Sequence, residues 1–535
     1  MMDHNNEQPD VERPASGAKP ALIRWRAVLV ILGLAILVLV WIWLLADLDR
    51  QRSFLLTVIT GLVTALLLLV RIVFFAGLKW RTRLIILAVV IGTVLAVKTL
   101  FRIQGVSGDL LPIVGWRSQP PESAVIVSAQ PLPTVLGAAG APAMFVPTTN
   151  DFPQFMGPHR DATVSGPILA RDWQAQPPQL LWRRAVGPAW SGFAIVGSAA
   201  VTQEQRGDSE LVVCYDVPTG KLIWSHADAA HYHTTLAGEG PRATPTITSN
   251  RVYALGATGI LNCLELSTGR LIWTKDIVEE HGSKVPEWGL SGSPLVVENL
   301  VIVSAGGGNG RSLVAYDKGS GDLVWRGGSS RVGYSSPVVT TLAGVPQVLI
   351  FNQDCIAGHD SQNGALLWSH PWRKDHPHVA LPVVTTGDRV LVSSGYGNGS
   401  ELLQISRGSD GELSVSQVWK SLRLKAKFTN LAQRDGYVYG LDDGILVCLD
   451  LADGALKWKE GRYGHGQVIL TGDLLLVMAE DGRVVLLEPV PAAHRELTQF
   501  QALDGKTWNP PALAGKLLLV RNHKEAACYR LPVLQ

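Results

Sequence analysis

Two His-x-His pairs are the residues whose spacing comes closest to that of a metal site. Alternate residues of a β-strand share a face, so His231 would lie beside His233, and His376 beside His378. Imidazole nitrogens placed in this way are ligands for zinc and similar ions. The two pairs fall in different repeats of the chain, however, and histidines in surface loops are the simpler interpretation, so we predict no metal site.

A second candidate site is a pattern of alternating basic residues. Arg423, Lys425 and Lys427 alternate along the chain, and on a strand they would form a stripe able to meet a phosphate, an acidic glycan or a lipid headgroup. A solvated strand face explains the same pattern, and we favour it. The sequence has no recognisable Ser-His-Asp arrangement, P-loop or dinucleotide-binding glycine motif, so no catalytic residue is predicted.

Composition narrows the class of protein. The 535 residues carry a net charge of +2, and only 17% of them are charged. Nucleic-acid-binding proteins concentrate positive charge on one face, so no nucleic-acid partner is expected. The mean hydropathy of +0.18 indicates that part of the chain lies in lipid. The five cysteines form no Cys-x-x-Cys pair, which excludes a zinc ribbon and a thioredoxin motif.

The apolar residues are concentrated near the N-terminus. After a polar segment, 1–26, that we expect to be a disordered cytoplasmic tail, residues 27–46 carry no charge and are long enough to span a bilayer. Residues 54–77 form a second apolar run, and 84–97 form a shorter third one. We predict about three transmembrane helices; two spans, or an interfacial third helix, are the alternatives.

Positive charge sets the expected orientation, because Lys and Arg favour the cytoplasmic side of a span. Basic residues precede the first run and separate the second from the third, at Arg24, Arg26, Lys79, Arg81 and Arg83. Three spans then place the chain beyond the membrane domain, 27–101, outside the cytoplasm. Residues 102–150 are rich in Pro, Ala and Gly and are expected to be a linker.

A repeat organises the rest of the chain. In each full copy an acidic residue precedes a glycine by four positions, and a tryptophan follows that glycine by four. The acid is suited to starting a turn, the glycine to a positive φ, and the tryptophan to packing between neighbouring repeats. The five full copies are Val213–Trp224, Asn262–Trp273, Val314–Trp325, Ala357–Trp368 and Val447–Trp458.

Degenerate copies extend the series to eight. The predicted docking residues are Trp182, Trp224, Trp273, Trp325, Trp368, Trp419 and Trp458, with Phe500 in the eighth position. The mean spacing of about 45 residues is typical of four-stranded propeller blades. The last repeat has three strands, and an unpaired strand at Leu180–Trp182 precedes the first. We therefore expect this strand to pair with the one containing Cys528 and Tyr529, which would close the domain.

The spacing acid-x-x-Thr-Gly-x-x-x-Trp resembles the repeat of the pyrroloquinoline-quinone-like (PQQ-like) β-propellers, and the resemblance covers residues 151–535. A WD40 propeller fits less well, because Ser, Thr, Arg or Lys follows the tryptophan here, and never Asp. One branch of the family contains the quinoprotein alcohol and glucose dehydrogenases, whose funnel binds the quinone and calcium. Another contains non-catalytic propellers, among them the scaffold subunit of the outer-membrane β-barrel assembly machine.

The resemblance implies a site in the central funnel, where loops enter the innermost strands. The candidate funnel residues are Trp190, Arg242, Trp288, Arg331, Tyr334, His378, Lys427, Asn430, His465 and Trp508. Aromatic and cationic side chains of this kind are suited to holding a flat anion, but they also serve to cap blades and to fill the channel. The dehydrogenases commonly carry a vicinal cysteine pair, and no two cysteines are adjacent here.

The sequence thus predicts an all-β, eight-bladed propeller with N-terminal transmembrane helices, anchored in a bacterial inner membrane and facing the periplasm. The expected function is a binding or scaffold module that contacts other envelope proteins and has no cofactor. The alternative is a membrane-bound PQQ-dependent alcohol or sugar dehydrogenase that also binds calcium.

Overall fold

The computed structural model describes residues 22–46, 48, 50–75, 78–118 and 145–534. Most of the predicted tail and the linker residues 119–144 lie outside these ranges. The described residues divide into two units, Met1–Leu100 and Phe101–Gln535.

The first unit consists of helices. Helix α1 is Leu22–Val40 and continues as a π-helical turn, Trp41–Leu45; α2 is Arg50–Phe75 and α3 is Trp80–Leu100. Among the described residues, these three are long and apolar enough to cross a membrane, with mean hydropathies of 3.1, 2.5 and 2.2. The third helix has 21 residues, whereas the sequence predicted an apolar run of 14, because the charged residues at both ends of that run are also helical.

The described part of the second unit consists of β-strands and the loops that join them, with one short helix, α4, at Ile277–His281. Strands β1 to β14 are Phe101–Val106, Pro112–Trp116, Thr163–Val164, Gln179–Ala185, Ala194–Val196, Ala199–Arg206, Ser209–Asp216, Leu222–Asp228, His233–Thr234, Gly238–Glu239, Thr246–Thr248, Arg251–Leu255, Ile260–Glu265 and Leu271–Asp276. Strands β15 to β26 are Leu295–Val297, Leu300–Gly307, Arg311–Asp317, Leu323–Gly327, Val338–Leu342, Val345–Phe351, Cys355–Asp360, Leu366–Pro371, Val383–Thr385, Arg389–Ser394, Gly399–Arg407 and Leu413–Ser421. Strands β27 to β37 are Ala432–Arg434, Tyr437–Asp442, Ile445–Asp450, Leu456–Arg462, Gln467–Thr471, Leu474–Met478, Arg483–Glu488, Arg495–Gln501, Ala512–Ala514, Leu517–Arg521 and Glu525–Arg530.

The strands form consecutive four-stranded meanders. Their orders are β5-β6-β7-β8, β11-β12-β13-β14, β15-β16-β17-β18, β19-β20-β21-β22, β23-β24-β25-β26, β27-β28-β29-β30 and β31-β32-β33-β34, the last with β3 added in parallel. The eighth sheet, β35-β36-β37-β4, takes its outer strand from the start of the domain. There Cys528 pairs with Trp182 and Tyr529 with Leu180, which confirms the predicted pairing of the unpaired strand.

The repeated acid-to-glycine segment forms the turn between the third and fourth strands of a sheet. In the first copy the Asp216 carboxylate accepts a hydrogen bond from the Thr219 amide at 3.2 Å, and Gly220 donates its amide to the Asp216 carbonyl at 2.7 Å. Gly220 has a φ of 66°, which is left-handed backbone that a residue with a Cβ adopts only with strain.

The tryptophans link neighbouring sheets through the same turns. A Cβ added to Gly269 would lie 2.5 Å from the Trp224 ring, so the indole of one sheet packs flat against the turn of the next. Several indole N–H groups also donate to a carbonyl of that next sheet, at 2.7–3.3 Å: Trp182 to Val217, Trp224 to Leu266, Trp273 to Lys318, Trp419 to Leu451 and Trp458 to Val490. Trp368 instead donates to Gln347 within its own sheet, and Trp325 is buried without a partner for its N–H among the described residues.

Hydrogen bonds also connect the loops that enter the first strand of each sheet. Running through the eight sheets, they join Gly192 to Thr244, Thr244 to Ser293, Ser293 to Ser336, Ser335 to Ala380, Leu381 to Asn430, Asn430 to Gln467, Gln467 to Trp508, and Asn509 to Ala189. Their lengths are 2.8–3.3 Å, and each sheet is therefore bonded to the next on this side.

Two features differ from the sequence prediction. The segment expected to be a linker begins with an antiparallel hairpin, β1–β2, which the Pro- and Gly-rich composition of its surroundings concealed. The basic stripe does not exist, because Arg423, Lys425 and Lys427 lie in an irregular loop after β26. Arg423 is exposed, Lys425 pairs with Asp443 at 2.9 Å, and Lys427 is fully buried.

Candidate functional site

The candidate site lies at the end of the sheets where loops enter the first strands. In an antiparallel meander, the loops that precede the first strand and those that join the second to the third lie at the same end. Lys427 and Phe428 precede β27, His465 precedes β31, and Lys506 and Trp508 precede β35. The topology therefore brings together residues that are up to 81 positions apart in the chain.

Aromatic side chains form the floor of this site. The rings of Trp190 and Trp508 are 4.7 Å apart, and Phe428 packs against both Trp508, at 4.8 Å, and His465, at 5.0 Å. The Lys506 ammonium lies 4.1 Å from the Trp508 ring centroid and 5.0 Å from that of Trp190. Ammonium groups are attracted to the faces of indole rings, so this cluster holds its lysine in place.

Glu480, in the loop between β32 and β33, forms hydrogen bonds with two members of this cluster. Its carboxylate accepts hydrogen bonds from the Trp508 indole at 2.9 Å and from the His465 amide at 2.9 Å. One carboxylate therefore links the Trp508 side chain to the His465 backbone. We refer to Lys427, His465, Glu480, Lys506 and Trp508 together as the socket.

The tip of the β1–β2 hairpin occupies the socket. The Asp109 carboxylate lies 3.0 Å from His465 Nε2 and 3.7 Å from Lys427 Nζ. His465 and Lys427 are fully buried, and Asp109 is only 8% exposed. The carboxylate thus has basic groups on two sides in a site that excludes most water.

Backbone contacts hold the same tip. Gly108 donates its amide to Glu480 Oε1 at 2.7 Å, and its carbonyl accepts from Lys427 Nζ at 3.4 Å. Lys506 donates to the Val106 carbonyl at 3.3 Å. A Cβ on Gly108 would lie 2.1 Å from His465 Cδ2, so no other residue fits there without displacement.

The other predicted funnel residues form smaller groups. Arg242 donates to the carbonyls of Trp288, Gly238 and Gly240 and packs on the Tyr232 ring at 5.0 Å. Burial lowers the pKa of Arg242 to about 10. Its guanidinium is therefore largely committed to the protein's own carbonyl groups.

Tyr334 and His378 are neighbours, because the Tyr334 amide donates to the His378 carbonyl at 2.8 Å. The His378 ring is fully buried and stacks on Phe351 at 4.5 Å, and burial lowers its pKa. Burial also raises the pKa of the Tyr334 hydroxyl above its usual range. Asn430 joins sheets by accepting from the Leu381 amide, and Arg331 is exposed.

The His-x-His pairs are not arranged as ligands. His231 and His233 are exposed, and His376 stacks on Tyr396 at 4.8 Å while His378 is buried elsewhere. Within the described ranges, no group of three or more His, Cys, Asp or Glu is close enough to hold a metal ion.

The chain also enters the space between the innermost strands. Arg160, in the segment that precedes β3, is 3% exposed and donates to the carbonyls of Ser293, Pro294 and Pro337, at the starts of two first strands. It also donates to the Thr246 hydroxyl in a third sheet. Burial lowers the pKa of Arg160 to about 9.

A cavity of about 370 Å³ lies beside β22 and β26, outside the socket. It is lined by Trp372, Asn398, Glu401 and Lys420, among others. Glu401 accepts from Lys420 Nζ at 2.6 Å and lies 2.9 Å from His370 Nε2, so its charge is balanced locally. No sequence pattern predicts this cavity, because its residues come from two different repeats.

Sequence reasoning also missed Asp109, Glu480 and Lys506. A signal for Asp109 exists: Ser-Gly-Asp separates two short runs rich in Ile and Val, which is typical of a β-hairpin. No local pattern marks Glu480 or Lys506, since they become neighbours of the tip only through the arrangement of the sheets.

Comparison with known proteins agrees with this architecture. Residues 207–460, just under half of the chain, match the sequence family described as outer membrane protein assembly factor BamB. BamB from Moraxella catarrhalis superimposes with a TM-score of 0.48 at 16% identity, over 66% of this chain and 100% of that one. Quinohemoprotein alcohol dehydrogenase from Comamonas testosteroni gives a TM-score of 0.50 at 12% identity, over 78% and 85% of the two chains. No curated protein sequence matches the chain significantly.

The four-stranded sheets, the docking tryptophans and the family match define the class as a β-propeller. Over residues 207–460 the chain matches the sequence family of a PQQ-like propeller repeat.

The funnel residues do not fit the quinone that the family name implies. That cofactor is flat and anionic, and it needs an open aromatic face and uncommitted cations. Here the Trp190 and Trp508 rings face each other and Lys506, Arg242 binds carbonyl groups, and Lys427 and His465 hold Asp109. These aromatic and cationic groups already have partners within the chain.

Proposed function

We propose that the protein is a membrane-anchored, extracytoplasmic propeller that binds other envelope polypeptides and acts as a scaffold. The observation that carries this proposal is the occupation of the funnel mouth by the chain's own hairpin. A dehydrogenase needs an open funnel for cofactor and substrate, whereas a propeller that binds polypeptides through its loops and rim does not.

We further propose that the eight sheets are eight blades of one closed ring. The support is the series of hydrogen bonds that joins each sheet to the next, together with the pairing of β4 and β37. Closure leaves no long unpaired strand edge, and unpaired edges favour aggregation.

The proposed location is a bacterial inner membrane with the propeller in the periplasm. Three apolar helices and the basic residues before and between them support it. A reporter that is active only outside the cytoplasm, fused after Gln535, should be active. Activity of a cytoplasmic reporter alone would contradict the three-span arrangement.

The second candidate is a PQQ-dependent alcohol or sugar dehydrogenase. The fold it shares with the Comamonas enzyme favours it, at a TM-score of 0.50. Turnover separates the two functions: the full-length protein, incubated with quinone and calcium, should not reduce an artificial electron acceptor with alcohols or glucose. Turnover that is lost in Arg242→Ala or Trp288→Ala would establish the enzyme.

A further inference from the structure

The socket is built as a receptor for an acidic turn. A carboxylate enters between His465 and Lys427, a backbone amide meets Glu480, and two carbonyls meet the ammonium groups of Lys427 and Lys506. These contacts bind a carboxylate and the backbone groups on either side of it. A polypeptide turn that carries an acidic residue presents both.

The shape of the socket is equally selective. The residue before the acid must lack a Cβ, since the Gly108 backbone lies directly against the His465 ring. Within the turn, the Ser107 hydroxyl accepts a hydrogen bond from the Leu111 amide at 3.1 Å, and Leu110 adopts a left-handed φ of 61°. The recognised element is thus a Ser-Gly-Asp turn at the tip of a hairpin.

The apolar side chains on the strands of the hairpin are largely exposed. Ile103 and Val114 are a cross-strand pair, and they are 69% and 56% exposed. The Trp116 side chain is also half exposed. Release of the hairpin therefore requires the contacts at its tip to break.

We propose that the socket binds acidic Gly-Asp turns of envelope polypeptides and that the chain's own hairpin is a resident occupant which such a turn displaces. This inference rests on the proposed scaffold function and names its partner chemistry. The hairpin then acts as an intramolecular competitor, so the affinity of the free socket is reduced by the fraction of time that the hairpin occupies it.

The Gly108→Ala variant of the full-length protein provides the test, because it excludes the resident tip and leaves every socket side chain intact. Gly105→Ala is the matched control, since the nearest atom to a Cβ there is 3.9 Å away. The probe is a fluorescent synthetic peptide with the native sequence of residues 101–117, and binding is measured by anisotropy. The peptide should bind Gly108→Ala at least tenfold more tightly than the native protein or the Gly105→Ala control.

Two further binding measurements test whether the socket recognises the carboxylate. The same peptide with Asp109→Asn should lose at least tenfold in affinity for Gly108→Ala, and adding Lys427→Gln to the protein should abolish binding of the native peptide. Equal affinity of the native and Asp109→Asn peptides, or equal binding to native protein and Gly108→Ala, would overturn the proposal.

Hydrogen exchange keeps the proposal testable if Gly108→Ala is unstable. In the isosteric variant Asp109→Asn, amides of residues 107–111 should exchange at least tenfold faster than in the native protein, while Asp208→Asn, in an exposed turn, leaves them unchanged. Unchanged exchange in Asp109→Asn would overturn the resident role of the hairpin. None of these measurements involves a quinone, so their failure is separate from a failure of the scaffold assignment.

Discussion

At the residue scale, the repeated tryptophans carry much of the packing between sheets. Trp224 is fully buried, packs against Gly269 and donates its indole N–H to the next sheet. Trp224→Ala should lower the free energy of unfolding by about 3–5 kcal/mol, because it removes a large buried side chain and leaves a cavity. Val324→Ala, at a side chain that is 52% exposed, is the control and should change it by less than about 0.5 kcal/mol. Similar effects of the two substitutions in chemical denaturation would contradict the docking role.

Glu210 makes stability depend on pH. Burial raises its pKa from 4.5 to about 7, although the Ala257 amide donates to its carboxylate and Arg242 is nearby. Between these values the native state retains a proton that the unfolded state has lost. The free energy of unfolding should therefore fall as the pH rises from about 4.5 to about 7, by about 3 kcal/mol in all.

The Glu210→Gln variant isolates this contribution, since its amide oxygen still accepts from Ala257 and does not titrate. Denaturation at pH 5 and pH 8 should show a smaller loss of stability for Glu210→Gln than for the native protein. An identical loss in both proteins would assign the pH dependence to other groups.

At the scale of the element, the turn glycines are constrained by conformation and by the neighbouring indole. Gly269 and Gly207 have left-handed φ values of 73° and 54°, but only Gly269 has an indole against the position of a Cβ. Gly207→Ala should cost about 1–2 kcal/mol, from backbone strain alone. Gly269→Ala should cost at least about 2 kcal/mol more, because the indole must also move. Equal melting temperatures of the two variants would show that the indole does not pack on the turn.

Elements with a strong local pattern could be predicted from the sequence. The acid, glycine and tryptophan of Val213–Trp224 recur at fixed spacing, so the turns and the strands on either side were evident. The β1–β2 hairpin was missed because the composition of its surroundings outweighed a short pattern. Arg423 and Lys425 were assigned to a strand from their alternation alone. In the structure they lie in the irregular loop that leads into β27.

The socket shows the limit of such reasoning for the site. Lys427, His465 and Trp508 were identified because each precedes a first strand, and position in a repeat is readable from the sequence. Their partners Asp109 and Glu480 lie outside that position, and only the three-dimensional arrangement brings them to the same mouth.

At the scale of the whole molecule, stability should depend on the pairing of the two ends of the domain. Ending the chain at Asn522 removes β37, leaves β4 unpaired and exposes the apolar edge of β36. The whole domain should lose cooperative unfolding, because each sheet is packed on two neighbours. A chain that ends at Val533 retains β37 and should keep the native melting temperature. Preserved melting of the shorter chain would contradict closure.

Because the cationic and aromatic groups of the socket are bound to the chain's own residues, we expect the funnel to hold no redox cofactor. Equilibrium dialysis of the full-length protein against pyrroloquinoline quinone and calcium tests it most directly, with a quinoprotein apoenzyme dialysed in parallel. We expect the apoenzyme to retain one quinone per chain and this protein to retain none at the same free concentration. Saturable retention of one quinone per chain by this protein would contradict it.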